Sequence, residues 1–189
     1  MICVIHAHPY PRRSRANRVL AEAVRGLENV ELRSLYDLYP DFDIDVEAEQ
    51  RALARAQLVV WMHPVFWYSV PGLLKHWFDQ VLAYGWAYGE GGTALAGKHC
   101  LWVATTGGDA DAYAPGGLHA RPFGDFVPVV EQTARYCGMQ WEPPYIVHGA
   151  TGLDDAGLAA HAAALLPRLE PWRALAPVDT PVDTSGAEP

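Results

Sequence analysis

Three segments of the chain carry side chains that could bind a flat, anionic molecule, and each directly follows an apolar run typical of a strand. The first is 6–13 (HAHPYPRR), which leads to Ser14 and a helix-forming run. The second is 65–69 (VFWYS), with three consecutive aromatic residues. The third is 105–109 (TTGGD), with two hydroxyls and two adjacent glycines. Together they offer an anion site, ring faces and a backbone that a ring edge can approach closely.

The first segment is predicted to be a rigid loop, because its two prolines exclude a strand or a helix. Ser14 is placed at the N-cap or in the first turn of the helix that follows. A helix start carries unpaired N–H groups and a positive dipole end, which suit a phosphate, and His8, Asn17 and the arginines could complete the site. An ordinary helix cap with two solvated arginines explains these residues about equally well. Neither G-x-G-x-x-G nor a Walker pattern is present.

The aromatic segment is expected to project from the carboxyl end of a buried parallel strand, 58–62, which His63-Pro64 ends. Pro71 then opens an amphipathic helix. Open α/β sheets bind ligands at this edge. The aromatic rings could form a wall against a flat cofactor or simply close the end of the sheet as core, and the residue types alone do not decide.

The glycine pair in the third segment follows the predicted strand 99–104. Gly107 and Gly108 could form a floor that a ring edge touches without a clash, although an ordinary turn fits the pair equally well. The next loop holds Tyr113 and His119, whose polar tips would lie beside whatever the glycines touch.

Histidines at the strand ends could also suggest a metal site. His6, His8 and His63 are the candidates, but no carboxylate or cysteine recurs near them at the spacing of metal ligands. The sequence therefore predicts no metal.

Length and composition narrow the classes of function. A chain of 189 residues fits one domain with a single core. A net charge of −8 argues against general binding of nucleic acid. No apolar run reaches the roughly 18–20 residues of a membrane helix, and no signal peptide is evident, so a cytoplasmic protein is expected. The three cysteines are an odd number at wide spacing and are predicted to be reduced, buried thiols.

Alternating strands and helices must position the three segments. Five strands are predicted at 2–5, 30–35, 58–62, 99–104 and 141–148. Five helices are predicted at 15–24, 46–56, 73–82, 126–136 and 153–175, the last interrupted at Pro167. This alternation predicts a doubly wound parallel sheet in a three-layer α/β/α domain over 1–175. The segment 36–45 is too irregular for an element, and 176–189 is predicted to be a Pro-rich, flexible tail.

Four motifs carry a resemblance to a known family. AHPYPRRSRAN, HPVFWYSVPGLLKHWFDQV, GWAYGEGGTALAGK and TTGGD occur in that order, over roughly residues 1–150. They resemble the flavodoxin-like NAD(P)H:quinone oxidoreductases. The full set of motifs, including LYDLYPDFDID, is most similar to the ancillary proteins of bacterial glutathione-gated potassium-efflux systems. The resemblance implies a flavodoxin-like sheet of order 2-1-3-4-5 and a homodimer that shares its active site.

The resemblance also implies FMN or FAD as cofactor, with FMN favoured, and NAD(P)H as co-substrate. Residues that would hold the cofactor are His8, Ser14, Arg15, Ala16, Asn17, Pro64, Val65, Phe66, Trp67, Tyr68, Thr105, Thr106, Gly107 and Gly108. Tyr113 and His119 would be catalytic, as donors to the negative charge near N1 and the C2 carbonyl of the reduced ring. The implied reaction is ping-pong hydride transfer to a quinone.

Two other functions remain open at this point. The first is a regulatory subunit that binds and activates a potassium/proton antiporter, which would bring a cytoplasmic protein to the inner face of the membrane. The second is a one-electron flavodoxin carrier, which is less favoured because a longer substrate loop follows TTGGD. The loop 109–124 is longer and richer in Ala and Pro than expected of the potassium-efflux members, which bears on the partner more than on the chemistry.

Overall fold

A computed structural model describes residues 1–174, so the predicted tail 176–189 lies outside the described residues. Within these residues, six parallel strands form one sheet: β1 Ile2–His6, β2 Val30–Ser34, β3 Leu58–Pro64, β4 His99–Thr105, β5 Gln140–Trp141 and β6 Tyr145–Val147. The order is β2-β1-β3-β4-β5, with β6 also beside β4. In the register, Val4 of β1 lies opposite Leu32 of β2 and Val60 of β3. The predicted parallel sheet and its order are confirmed.

The fifth position of the sheet differs from the prediction of one strand over 141–148. β5 pairs with the first two residues of β4, and β6 pairs with its last three, Val103–Thr105. Between them the chain reads Glu142-Pro143-Pro144. Because proline has no N–H to donate to a ladder, two consecutive prolines divide the predicted strand into two short ones.

The helices within residues 1–174 are α1 Arg15–Arg25, α2 Leu35–Leu38, α3 Val46–Arg55, α4 Gly72–Val81, α5 Val127–Tyr136 and α6 Asp155–Arg173. The short α2 lies in the segment 36–45 that was predicted to hold no element. A 3-10 turn at Pro11–Arg13 likewise falls in the loop predicted to exclude helix. Proline suits the first position of such a turn, because its missing N–H would have no partner there.

Helix α6 is continuous through Pro167, so the predicted interruption is wrong. An internal proline removes one helical hydrogen bond at a cost of roughly 3 kcal/mol. Leu165 and Leu169 on either side are buried against the sheet, and Pro167 itself is exposed. Burial of the flanking leucines therefore keeps the helix in place, with the proline on its outer face.

The core has two layers, one on each face of the sheet. Trp61 and Trp102 lie in the layer that α3, α4 and α5 cover. Val60 and Val103 lie in the opposite layer, beneath α1 and α6. The predicted three-layer arrangement is confirmed, and all three cysteines are free and buried, as expected. Within residues 1–174, no helix is long and apolar enough to cross a bilayer.

Candidate functional site

The carboxyl ends of β1, β3 and β4 open into a cleft of about 410 Å³. Most of the residues predicted to hold a cofactor line it: His8, Ser14, Arg15, Ala16, Asn17, Pro64, Val65, Phe66, Thr105, Thr106 and Gly107. Trp67, Tyr68 and Gly108 do not. The lining also includes Tyr10, Arg13, Ala150 and Thr151. The three predicted segments therefore meet at one sheet edge, as the topology requires of parallel strands.

The N-terminus of α1 forms one end of the cleft. Ser14 is its N-cap, and the Ser14 hydroxyl accepts a hydrogen bond of 3.2 Å from the backbone N–H of Asn17. Arg15 and Ala16 line the cleft, and N–H groups in a first helical turn have no acceptor within the helix. The first turn contains no acidic residue that would neutralise the helix dipole. This end of the cleft suits an anion.

The two arginines beside this end differ in what they can contribute. The Arg15 guanidinium donates to Asp155 Oδ1 at 2.5 Å and to the Leu153 carbonyl at 3.1 Å, so its charge is already paired at the start of α6. Arg13 lines the cleft with its guanidinium 6.0 Å from the centre of the Tyr10 ring. Arg15 can therefore serve a ligand through its backbone, and Arg13 offers a cation to an anion.

Asn17 joins the first segment to the third. Its side-chain amide donates to the Ser14 hydroxyl at 3.2 Å and to the Thr105 hydroxyl at 2.8 Å, and the residue is almost fully buried. Both amide hydrogens are therefore used inside the protein. Asn17 fixes the start of α1 against the end of β4, and it also lines the cleft in which it was predicted to hold the cofactor.

His8 presents an N–H donor to the cleft. The backbone N–H of Tyr10 donates to His8 Nδ1 at 2.9 Å, so the neutral ring carries its hydrogen on Nε2. Burial lowers the pKa of His8, which favours this neutral form at pH 7. The ring also meets Phe66 edge to face, with 6.1 Å between centres.

The aromatic segment forms a tight two-residue turn. Phe66 and Ser69 exchange backbone hydrogen bonds of 3.1 and 3.0 Å, and the two residues between them, Trp67 and Tyr68, have φ of 49° and 61°. Such turns normally use glycine or asparagine, because positive φ costs other residues about 1 kcal/mol or more. Trp67 is 93% exposed and lies outside the cleft lining, so the structure does not bring it to the predicted site.

The remaining predicted residues form a second group, the His119 cluster, made of Tyr68, Gly108, Tyr113 and His119. The Tyr68 hydroxyl lies 3.2 Å from His119 Nδ1, and the Tyr113 ring lies 4.3 Å from the imidazole between centres. A Cβ added to Gly108 would lie 3.0 Å from His119 Nε2 and 3.2 Å from the Ala112 Cβ, so a larger residue there would have to displace these neighbours.

Gly107 differs from its neighbour. A Cβ added to Gly107 would meet no protein atom within 4 Å, and the residue lines the cleft. The predicted glycine floor is therefore divided. Gly107 borders open space, whereas Gly108 is covered by His119, Ala112 and Tyr113.

Comparison with known proteins agrees with the topology. The family model described as flavodoxin-like fold matches residues 1–169. The chain belongs to the flavodoxin-like fold family. The predicted family resemblance is thereby confirmed.

Three similar proteins place the chain more narrowly within the flavodoxin-like family. The glutathione-regulated potassium-efflux system ancillary protein KefF of Salmonella typhi is 53% identical over 173 residues, covering 92% of this chain and 97% of that protein. General stress protein 14 of Treponema denticola, solved in complex with FMN, is 32% identical, with a TM-score of 0.84 and coverage of 90% and 98%. An NADPH-quinone reductase from P. pentosaceus is 28% identical, with a TM-score of 0.78 and coverage of 87% and 94%.

Sequence reasoning missed the cleft-lining residues Tyr10, Ala150 and Thr151, and it also missed His148. His148 follows β6, and its Nδ1 lies 3.0 Å from the Thr106 hydroxyl, while its ring lies 5.4 Å from that of Tyr113. Burial lowers the pKa of His148. Its position at the carboxyl end of a parallel strand was the available signal, because that edge carries the sites of such sheets.

The strand-end histidines that suggested a metal are used by the protein itself. His63 Nε2 accepts a hydrogen bond of 2.8 Å from the Trp102 indole, and His63 Nδ1 lies 2.9 Å from the Pro64 carbonyl. His6 Nδ1 lies 3.3 Å from the Ser34 hydroxyl. Within residues 1–174, no group of three or more His, Cys, Asp or Glu side chains could hold a metal ion.

These buried histidines should make the protein sensitive to mild acid. Burial lowers the pKa of both His63 and His6 from 6.5 to about 4. Below pH 6.5 the unfolded chain therefore binds protons that the folded chain does not, so the free energy of unfolding falls as the pH drops towards 4. For a histidine with these two pKa values the loss between pH 7 and 5 is on the order of 2 kcal/mol.

Urea unfolding at pH 7, 6 and 5 measures this dependence. His63→Gln removes one titrating group, so its free energy of unfolding should fall less steeply between pH 7 and pH 5 than that of the parent protein. Equal slopes for the two proteins would contradict the assignment of the effect to His63.

Proposed function

We propose that the protein is a flavin-dependent NAD(P)H:quinone oxidoreductase that binds FMN in the cleft. The observation that carries the proposal is the meeting, in one cleft, of an anion-binding helix start, the donor His8 and the ends of β3 and β4. The FMN complex and the NADPH-quinone reductase among the similar structures support the cofactor and the reaction.

The residues of the cleft fit FMN in chemical type. The first turn of α1 and Arg13 would hold the phosphate, because backbone N–H groups and a guanidinium suit a dianion. His8 would donate to phosphate or ribityl oxygens. Gly107, which has no protein neighbour on its Cβ side, would leave room for the edge of a planar ring, and Phe66 would supply an apolar contact.

When bound, FMN would supply the redox chemistry, accepting a hydride from NAD(P)H and then reducing the quinone. The chain's part is to orient the ring and to stabilise negative charge at its pyrimidine edge. Tyr113 and His119 are proposed as the donors. Burial raises the pKa of Tyr113, so its hydroxyl keeps its proton and can donate at neutral pH.

Anaerobic reduction tests this function. NADH or NADPH should bleach the absorption of the FMN-loaded protein, and a quinone such as menadione should restore it. Steady-state rates measured at several concentrations of both substrates should give parallel lines in double-reciprocal plots, as a ping-pong mechanism requires. A protein that holds FMN but is not reduced by either nucleotide would contradict the proposal.

Replacing the proposed donor should affect turnover more than cofactor binding. His119→Ala should lower kcat with menadione by roughly 10- to 100-fold, because one donor to the developing charge is lost. FMN affinity should stay near that of the parent protein, because the negative charge to which His119 would donate develops only when the ring is reduced. His161→Ala, on α6 and paired with Tyr145, is the matched control and should keep full activity. An unchanged kcat for His119→Ala would remove this residue from the mechanism.

A second function is favoured by the 53% identity to KefF ancillary proteins. We propose that the protein also acts as an ancillary subunit of a potassium/proton antiporter, cytoplasmic and held at the inner membrane face by that partner. To test this, the purified protein would be mixed with membranes that contain or lack the antiporter from the same genome. The measurement is the fraction of the protein that the membranes retain. Equal retention would count against the partnership. A homodimer is also proposed, and light scattering on the purified protein would measure its mass.

A further inference from the structure

The side chain of Tyr68 is held at His119 by an unusual backbone. Tyr68 occupies the second position of the two-residue turn with φ of 61°, a backbone conformation that is unfavourable for tyrosine. Its ring stacks on Phe126 at 5.0 Å with an interplanar angle of 22°. Its hydroxyl then reaches to 3.2 Å from His119 Nδ1. Strain of this kind persists where the surroundings determine the conformation, and it is concentrated at functional sites.

The imidazole of His119 is fixed on several sides. Its backbone N–H donates to the Ala112 carbonyl at 2.9 Å, which sets the position of the residue. Tyr68 meets the ring edge to face at 5.5 Å, and Tyr113 covers it at 4.3 Å. Nδ1 faces the Tyr68 hydroxyl, whereas Nε2 lies toward Gly108, 3.0 Å from where a Cβ would be.

From this geometry we infer that Tyr68 is a positioning residue that donates its hydroxyl hydrogen to His119 Nδ1 and so keeps the histidine hydrogen on Nε2. The inference rests on the proposed function, in which His119 donates to the pyrimidine edge of a reducible ring, and Nε2 is the nitrogen left for that donation because Nδ1 faces the Tyr68 hydroxyl. A neutral imidazole has one N–H and one lone pair, and the partner of one nitrogen decides which it is. With the hydrogen on Nδ1, a lone pair would face the negative charge and oppose its formation.

Tyr68→Phe separates this role from simple packing. The variant keeps the ring that stacks on Phe126 and removes only the hydroxyl. The loss of one neutral hydrogen bond should shift the ratio of the two His119 tautomers by roughly fivefold. The matched control is Tyr145→Phe, because the Tyr145 hydroxyl lies 2.8 Å from His161 Nδ1 in a second tyrosine–histidine pair outside the cleft.

The tautomer is read directly by ¹H–¹⁵N correlation spectra of the full-length protein, recorded without and with added FMN. The His119 signals are those that disappear in His119→Ala. Wild-type protein should carry the hydrogen on Nε2, Tyr68→Phe should lose that preference, and Tyr145→Phe should leave the His119 signals unchanged. A hydrogen on Nδ1 in the wild type, or an unaltered ratio in Tyr68→Phe, would overturn the inference.

Kinetics supply the second readout. Tyr68→Phe should lower kcat with menadione by roughly threefold to tenfold, with the KM for menadione and the FMN affinity unchanged. A rise in KM with kcat unchanged would show a binding role and overturn the inference. Failure of the proposed function would appear earlier, as a wild-type protein that neither binds FMN nor reduces menadione. A wild type that does both, with an unaltered tautomer in Tyr68→Phe, refutes the inference alone.

Discussion

Replacing Ser14 with aspartate is expected to weaken FMN binding by at least ~100-fold while leaving the fold intact. Aspartate is as good an N-cap as serine, and a negative charge at the start of a helix is favourable. Helix α1 should therefore remain as stable as before. The added carboxylate would, however, stand where the proposed phosphate binds, and like charges within a partly buried site repel by several kcal/mol.

Ser14→Asn is the matched control for this prediction. Asparagine has nearly the shape of aspartate and caps a helix equally well, but it carries no charge. It should retain most of the FMN affinity. Thermal unfolding without FMN should be alike in both variants, and fluorescence titration measures the affinity. If Ser14→Asp binds FMN as tightly as Ser14→Asn does, the start of α1 is not the phosphate site.

Disruption of a buried ion cluster is expected to cause the largest loss of stability. Glu49 on α3 has no exposed side-chain surface. Its Oε1 accepts from Arg33 Nη2 and from the Tyr39 hydroxyl, both at 2.6 Å, and its Oε2 accepts from the Trp77 indole at 2.9 Å. Burial and the hydrogen bond to Glu49 raise the pKa of Tyr39 to about 12, so its hydroxyl remains a donor. The cluster ties β2 to α3 and α4.

Glu49→Ala should therefore lower the free energy of unfolding by roughly 3–5 kcal/mol, because it removes the buried acceptor shared by Arg33, Tyr39 and Trp77. The largely buried Arg33 then keeps its pair with Glu31, and the Trp77 N–H is left unpaired. Glu47→Ala, on the same helix, removes an exposed pair with Arg51 and should change stability by at most about 0.5 kcal/mol. Urea unfolding at pH 7 compares them. Equal midpoints for the two variants would show that the buried cluster does not stabilise the fold.

The sheet could be predicted from sequence because its strands are short, apolar runs between helices with a clear 3.6-residue period. The errors were local. Pro143 and Pro144 divide one strand, and Pro167 fails to interrupt α6. In each case the local preference of proline was known, but whether it prevailed depended on the contacts of neighbouring residues, which sequence alone does not give.

The site was predictable in its position but less so in its details. All three segments reached the cleft, the second through Val65 and Phe66, because the carboxyl ends of parallel strands share one edge. Trp67 did not, because a turn with two positive φ values holds it outside, and no glycine or asparagine signalled that turn. The different surroundings of Gly107 and Gly108 likewise depend on His119. This residue lies in the following loop, and it contacts Gly108 only because that loop folds back over the glycine.

Binding of FMN compared with riboflavin tests the central claim most directly. Full-length protein freed of flavin would be titrated with each compound, with quenching of flavin fluorescence as the readout. Because riboflavin has the ring and the ribityl chain but no phosphate, we expect the protein to bind FMN tightly and to bind riboflavin at least ~100-fold more weakly. Equal affinity for both compounds, or no binding of FMN, would contradict it.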